Sequence, residues 1–214
     1  MEVPRIGYEG HDSQGLDIVV VNLAHRPDRL KVFDTNTKKG LPKYSRFRAV
    51  YVQPEDYDPK QYPIDRATYG CYESHRRIWE KVTRNTLVLE DDAKLVRDFH
   101  IPPLPKGFDL YYLGCNDRLF GAKSGPRKGF FKHPSGLKCH VHEARKVLTT
   151  HAYIISPEAA KKALKMDHYK LAVDMALWEI QGQGDSYYIR PSLFVQRADH
   201  SDIHGKWINF ESIT

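Results

Sequence analysis

The sequence predicts an α/β fold with a mainly parallel sheet, and two observations support this prediction. Short apolar runs rich in β-branched residues recur along the 214 residues, and segments with helical spacing or helix-start signals separate them. A strand that is apolar on both faces is typical of a parallel sheet covered by helices. Strands that alternate with helices indicate an α/β fold, in which ligands bind outside the carboxyl ends of the strands.

The first half of the chain supplies the strands after which we expect the chemistry. Residues 17–23 form a continuous apolar run and predict the first buried strand, and Pro27 suits the first turn of the helix that follows. Residues 45–50 alternate and predict a second strand. Residues 70–85 place apolar side chains on one helical stripe, and residues 86–89 predict another buried strand.

The second half continues the same alternation. Residues 109–113 predict a strand, whereas glycines and prolines among several basic residues at 121–138 predict a long basic loop. Residues 151–155 predict a strand, and Ser156, followed by proline and glutamate, starts a helix. Short final strands are expected at 187–189 and 193–195.

Composition favours one domain over residues 1–214, with residues 1–15 as a loosely ordered N-terminal segment. Hydrophobic residues make up 41% and charged residues 28%, as in ordinary globular proteins. No apolar run reaches the roughly 18 residues of a membrane span, and the polar beginning does not read as a secretion signal. We therefore expect no transmembrane segment and a cytoplasmic location. The net charge of +6 suits an anionic ligand without choosing among nucleotide, nucleic acid and acidic membrane.

Three acidic residues, Glu90, Asp91 and Asp92, follow the strand at 86–89 directly. In an extended chain, Glu90 and Asp92 point to one side and Asp91 to the other. Two carboxylates on one side can share Mn²⁺ or Mg²⁺, which take oxygen ligands. The alternative interpretation is a polar turn whose acids cap the next element.

Several groups of residues, in order along the chain, resemble glycosyltransferase family 25, the family of lipooligosaccharide and procollagen galactosyltransferases. They are Val21-Asn22-Leu23 with Arg26-Pro27-Asp28-Arg29, then Gly70-Cys71, Ser74-His75 and Trp79, then 87–92, then 152–156 with Ala159-Ala160 and Leu164, and more weakly Val173-Asp174, Pro191 and 196–203. The resemblance implies a GT-A-like, Rossmann-like mixed sheet flanked by helices in a single domain. It also implies a nucleotide-sugar donor, a divalent metal and inversion at the anomeric carbon.

The resemblance and the positions of the residues together suggest their roles. Glu90 and Asp92 would hold Mn²⁺ or Mg²⁺, and one of His200, Asp202 and His204 would complete the metal shell or touch the diphosphate. Asp174, which we also expect to cap a short helix, would be the catalytic base, with Glu179 as the alternative. The donor-binding residues would be Asn22, Arg26, Arg29, Ser74, His75 and Asp91.

The expected reaction is transfer of a hexose, galactose or glucose, from a UDP-sugar to a hydroxyl of a glycan or glycoprotein. Two other functions remain open: a metal-dependent phosphohydrolase or nuclease that uses the same carboxylates, and a degenerate glycosyltransferase that only binds its donor. A nucleic-acid-binding module is not expected, because strand-end acids without a metal repel phosphate.

Overall fold

We describe the protein from a computed structural model, which covers residues 15–38, 40–116, 123–167, 169–201 and 206–208. Nearly all of the predicted N-terminal segment, together with Asp202 and His204, lies outside these ranges. Among the described residues, no helix combines the length and the apolar character that crossing a bilayer requires.

Strands and helices alternate in the first half of the chain, and strands dominate its middle. The strands are β1 (Asp17–Asn22), β2 (Ser45–Arg48), β3 (Thr86–Glu90), β4 (Ala93–Leu95), β5 (Leu110–Asn116), β6 (Lys123–Lys132), β7 (Lys138–Arg145), β8 (Leu148–Ile155), β9 (Ser186–Arg190), β10 (Phe194–Gln196), β11 (Asp199–Ser201) and β12 (Lys206–Ile208). The helices are α1 (Pro27–Thr37), α2 (Arg66–Trp79), α3 (Pro157–Ala163), α4 (Val173–Ala176) and α5 (Trp178–Gln181).

Eight strands form one mixed sheet in the order β2-β1-β3-β8-β5-β9-β7-β6. The pairings of β1 with β2, β1 with β3 and β5 with β9 are parallel, and the other four are antiparallel. The predicted Rossmann-like α/β class is confirmed, but parallel pairing does not dominate as expected. The reason is that parallel neighbours need a crossover, usually a helix, and the described residues between β5 and β8 contain no helix.

The basic segment at 121–138 is not a long loop, as its glycines and prolines suggested. Most of its described part is the strand β6, which forms an antiparallel hairpin with β7 at the edge of the sheet. The register shifts twice, between Ser124 and Arg127 and between Arg127 and Gly129. An irregular edge strand tolerates glycine and proline, because its outer side needs no ladder partner. The prediction of a long loop from these glycines and prolines was therefore wrong.

The core confirms that the central strands are buried on both faces. Leu87, Val88 and Leu89 in β3 are completely buried. Val88 packs in a cluster with Trp79 of α2, whereas its two neighbours pack with Phe33 of α1 on the other face. β3 is thus a rigid central strand, and the acidic residues at its end stand on a fixed support.

Helix α2 begins four residues earlier and ends earlier than the predicted helix at 70–85. Its N-cap is Asp65, whose Oδ1 accepts hydrogen bonds from the backbone nitrogens of Ala67 and Thr68, each at 3.0 Å. The side chain of Asp65 is exposed, so it acts on the helix end and not on the core. This cap fixes the start of the helix that carries Gly70, Ser74 and His75.

We predict that Asp65→Ala lowers the free energy of unfolding by about 1 kcal/mol, because two backbone N–H groups lose their acceptor. Urea unfolding followed by circular dichroism measures the change. Asp65→Asn keeps an acceptor oxygen and should unfold within a few tenths of a kcal/mol of the native protein. Identical unfolding of Asp65→Ala and native protein would show that the cap does not stabilise α2.

Candidate active site

The candidate site lies at the edge of the sheet where β1 and β3 end. These strands run parallel, so their carboxyl ends meet there, and β8 runs antiparallel to β3, so its first residues lie beside them. A cavity of about 570 Å³ opens at this edge. Its walls come from the ends of β1 and β3, the loop after β2, helix α2, the start of β8, and helix α4.

Asp91 joins the ends of β1 and β3 to the first turn of α1. Its Oδ1 accepts from Arg29 Nε at 2.7 Å and lies 2.5 Å from Arg29 Nη2, and its Oδ2 accepts from Asn22 Nδ2 at 2.6 Å. Asn22 also donates to the carbonyl of Arg26 at 2.9 Å and accepts from Arg46 at 2.5 Å. Asn22, Arg29 and Asp91 are buried. The contacts given above join these three side chains to other protein groups. Their contacts with the nucleotide-sugar donor stay predictions.

Glu90 is held by one of its two carboxylate oxygens. Its Oε1 accepts a hydrogen bond from Thr150 Oγ1 at 2.6 Å and lies 3.3 Å from His75 Nε2. No described residue donates to Oε2. Burial opposes ionisation of Glu90, but the contacts with His75 and Thr150 outweigh it and lower the pKa of this carboxyl. Glu90 is therefore an anion with one open oxygen.

His75 approaches Glu90 with Nε2, at 3.3 Å and without a hydrogen bond among the described residues, and its other ring nitrogen ends a chain of buried hydrogen bonds. Trp79 Nε1 donates to the Tyr153 hydroxyl at 3.0 Å, and that hydroxyl lies 2.8 Å from His75 Nδ1. Because an indole only donates, the Tyr153 oxygen accepts from Trp79 and its O–H is free to donate to Nδ1; in that arrangement the His75 ring proton is on Nε2, on the side of Glu90. His75 is completely buried. The geometry makes it a positioning residue for Glu90.

Asp92 is also held by one oxygen only. Its Oδ2 accepts from Gln196 Nε2 at 3.1 Å and lies 3.3 Å from Arg29 Nη2, whereas Oδ1 is buried and has no hydrogen-bond partner among the described residues. Burial and, next, the negative charge of Glu90 raise the pKa of Asp92 to about 7. Without a cation, this carboxyl therefore keeps its proton up to near-neutral pH.

The two open oxygens fit a hard divalent cation. Oxygen ligands for Mn²⁺ or Mg²⁺ must not already be occupied by hydrogen bonds, and Glu90 Oε2 and Asp92 Oδ1 meet this condition. Cys71, His75 and Glu90 offer a second possible set, with one ligand atom each within 4.8 Å of the others. Burial raises the pKa of the Cys71 thiol well above its usual value, so it resists becoming a thiolate ligand. The oxygen pair is the better candidate.

Asp174 lines the cavity from α4. It is not the N-cap, as predicted, but the second residue of the helix, whose N-cap is Ala172. Its Oδ2 accepts from Thr149 N at 3.1 Å and its Oδ1 from Met175 N at 2.8 Å. Burial raises the pKa of Asp174, which makes the carboxylate a better proton acceptor. Glu179, the alternative base, is exposed and does not line the cavity.

Thr149 places its N–H toward Asp174 from an unusual conformation. Its φ is +71°, in the left-handed region that β-branched residues rarely enter. Its hydroxyl lies 2.9 Å from His151 Nδ1, on the same strand. Such strain, where surrounding contacts hold it, is common at functional sites.

Two predicted donor residues serve other purposes in the described contacts. Ser74 Oγ accepts from Val50 N at 2.8 Å and donates to the Gly70 carbonyl at 2.7 Å, so it fixes the loop after β2. Arg26 pairs with the exposed Asp28 at 3.0 Å and does not line the cavity. Donor binding by Ser74 and Arg26 remains a prediction.

Sequence reasoning missed Thr149 and Thr150 and gave no role to Gln196, the first residue of the weakly resembling segment 196–203. Gln196 reaches Asp92 because β10 pairs with β4, which places Gln196 opposite Ala93. Pairings between distant segments leave no local motif, so only the assembled sheet reveals these residues. The side chain of His200, and all of Asp202 and His204, lie outside the described part of the chain. The third metal ligand therefore stays a prediction.

Residues 16–102 match a family model described as glycosyltransferase family 25 (LPS biosynthesis protein). The matched segment runs from β1 past β4 and contains the Asn22–Arg29 segment, Ser74, His75 and the three strand-end acids. It ends before Thr150, Asp174 and Gln196. No curated protein matches the chain. The match supports the resemblance on which the residue roles were based.

We predict that Asp92→Asn stabilises the metal-free protein at pH 8. Asp92 in the unfolded chain loses its proton near pH 4, whereas the folded protein keeps it until about pH 7. Between these values the folded state binds more protons, so the stability this group contributes at low pH is lost as the pH rises toward 7. The amide carries no charge, so the gain at pH 8 should be about 1–3 kcal/mol and should shrink at pH 5.

Urea unfolding in EDTA at the two pH values measures the gain. Asp56→Asn, the same change at an exposed carboxylate, is the control and should unfold like the native protein. Equal stability of Asp92→Asn and native protein at pH 8 would mean that the carboxyl ionises there without penalty.

Proposed function

We propose that this chain, a glycosyltransferase by its family 25 segment at residues 16–102, is metal-dependent and inverting. It transfers a hexose, galactose or glucose, from a UDP-sugar to a hydroxyl of a glycan or glycoprotein acceptor. One observation carries the proposal: Glu90 and Asp92 each use one carboxylate oxygen on the protein and leave the other open at the ends of the strands. Mn²⁺ or Mg²⁺ is the proposed cofactor.

The open oxygens of Glu90 and Asp92 would hold the cation, with water and the donor's phosphates in its other positions. When bound, the metal neutralises the negative charge that develops on the leaving diphosphate. His75 and Thr150 keep Glu90 turned toward the cavity, and Gln196 does the same for Asp92. The protein thus presents the ligand pair in a fixed arrangement, which reduces the reorganisation needed during the reaction.

Arg26 lies outside the cavity wall, but it is the predicted donor residue whose described ion pair a phosphate could most easily replace. Its pair with Asp28 lies at the surface, where the Asp28 side chain is 63% exposed. Such pairs contribute little stability, so an incoming diphosphate can replace the carboxylate. Arg29, in contrast, is buried against Asp91 and Asp92 and supports the site through them.

Asp174 is the proposed base that takes the proton of the acceptor hydroxyl. Inversion by a single displacement needs one such base near the anomeric carbon. The backbone N–H groups of Thr149 and Met175 fix the carboxylate in the cavity wall, and burial raises its pKa. A phosphohydrolase or nuclease of the two-metal type would need further open carboxylates. Among the described residues, Asp174 is the remaining acid of this cavity beyond the triplet, and both its oxygens are engaged.

Calorimetric titration of UDP-galactose and UDP-glucose, with and without Mn²⁺, tests the proposal. We predict saturable binding of one donor that requires the metal. Asp92→Ala should abolish this binding while the circular dichroism spectrum stays native, because one of two metal ligands is gone. Asp56→Ala, at an exposed site, should bind like the native protein. Donor binding by Asp92→Ala with the native Mn²⁺ dependence would refute the metal assignment, and no binding by the native protein would refute the function.

Asp174→Asn should separate chemistry from binding. We predict that kcat falls by about 10²- to 10⁴-fold, the usual contribution of a general base, while the affinity for the donor with Mn²⁺ stays native. Glu179→Gln, at the exposed alternative, should transfer at the native rate. A large loss in Glu179→Gln with none in Asp174→Asn would reverse the assignment.

A further inference from the structure

The loop after β2, residues 49–52, is fixed along its whole length. Backbone and side-chain contacts reach it from β1 and α2. The four contacts are Ala49 N to the Asn22 carbonyl (3.0 Å), Val50 N to Ser74 Oγ (2.8 Å), Arg66 Nη1 to the Val52 carbonyl (2.5 Å), and the close approach of Gly70, where a Cβ would stand 2.8 Å from the Val50 carbonyl oxygen. A glycine is required at that position because a side chain would meet backbone.

Tyr51 stands out from this fixed loop with its ring exposed. Tyr51 is 52% exposed, the one aromatic residue among the exposed large hydrophobic residues of the described chain, and it lines the active-site cavity. The His25 ring meets it almost at a right angle, with centroids 4.9 Å apart, and the Arg66 guanidinium lies 5.7 Å from the ring centroid. A held aromatic ring that stays exposed beside a catalytic cavity is suited to a ligand.

We propose that Tyr51 is the platform on which the nucleobase of the donor stacks, an inference that rests on the proposed function. Base–aromatic stacking contributes about 1–3 kcal/mol and accepts any base. Because the loop is already fixed, little conformational freedom is lost when the base binds. The ring thus binds the aromatic end of the donor, while Glu90 and Asp92 serve its diphosphate.

The order of the strands favours the nucleobase of the donor, and not the acceptor, as the partner of Tyr51. At the edge of the sheet that carries the site, the neighbouring strands are, in order, β2, β1, β3 and β8. Tyr51 follows β2, and the proposed metal ligands lie at the end of β3. Asp174 accepts a hydrogen bond from Thr149 of β8. A donor lying across these strands has its nucleobase at β2, its diphosphate at β3 and its sugar toward β8. There the acceptor meets Asp174, the proposed catalytic base. Tyr51 is therefore at the end farthest from the acceptor.

The test compares two probes, UDP and methyl diphosphate, by calorimetry in the presence of Mn²⁺. For Tyr51→Ala we expect the affinity for UDP to fall roughly 5- to 150-fold and the affinity for methyl diphosphate to stay native, since that probe has no base. Tyr51→Phe keeps the stacking ring and should bind both probes nearly as the native protein does. Because the side chain is exposed, its removal leaves the fold intact.

Four results would overturn the platform. Equal losses for both probes in Tyr51→Ala would place the effect on the diphosphate end. If Tyr51→Ala binds UDP with native affinity but has a raised KM for the acceptor, Tyr51 contacts the acceptor. Native protein that binds methyl diphosphate as tightly as UDP would show that no base is recognised, although the metal site would stand. Binding of neither probe by native protein would refute the proposed function itself, and the platform with it.

Discussion

The buried contact of Arg29 with Asp91, completed by Asn22, is the interaction on which the rest of the site depends. It joins the end of β1, the first turn of α1 and the end of β3 in one network. Both oxygens of Asp91 are occupied, and the Arg29 side chain is only 9% exposed. Removing one partner of such a buried pair typically costs about 3–5 kcal/mol, because the other charge stays buried without compensation. The neighbouring acids can face the cavity only while this network holds the strand ends in place.

Around that network, the residues of the motifs fall into two groups. Some face the cavity, and the others hold the side chains of the first group in their orientation. Glu90 and Asp92 present open oxygens, whereas His75, Tyr153 and Trp79 form a buried chain behind Glu90. Ser74 is buried too and holds the loop that carries Tyr51. Most side chains that a motif marks as functional therefore act through a neighbour. A site of this kind tolerates little change in its supporting residues, because a displaced ligand loses its geometry.

The sequence predicted this site in part, and the limits have physical causes. β1 and β3 were predictable because strands buried on both faces are continuously apolar, and the acids after β3 stood out for the same reason. The hairpin of β6 and β7 was not, because an edge strand accepts the glycine and proline that usually indicate a loop. The role of His75 depends on Tyr153, 78 positions away. No local pattern contains that partner, so the motif indicated the residue but not its task.

Thr149 shows what the precise placement of Asp174 demands of the chain. A β-branched residue held at a φ of +71° carries on the order of 1–3 kcal/mol of strain. In the language of energy landscapes, this corner is frustrated: the local preference of the residue and the global fold disagree. Most of the molecule shows the opposite, since its buried strands and capped helices follow local preference. Lys146 and Tyr169 also have a positive φ among the described residues, but Thr149 is the one whose N–H holds the Asp174 carboxylate, so the stability lost at Thr149 places a functional group.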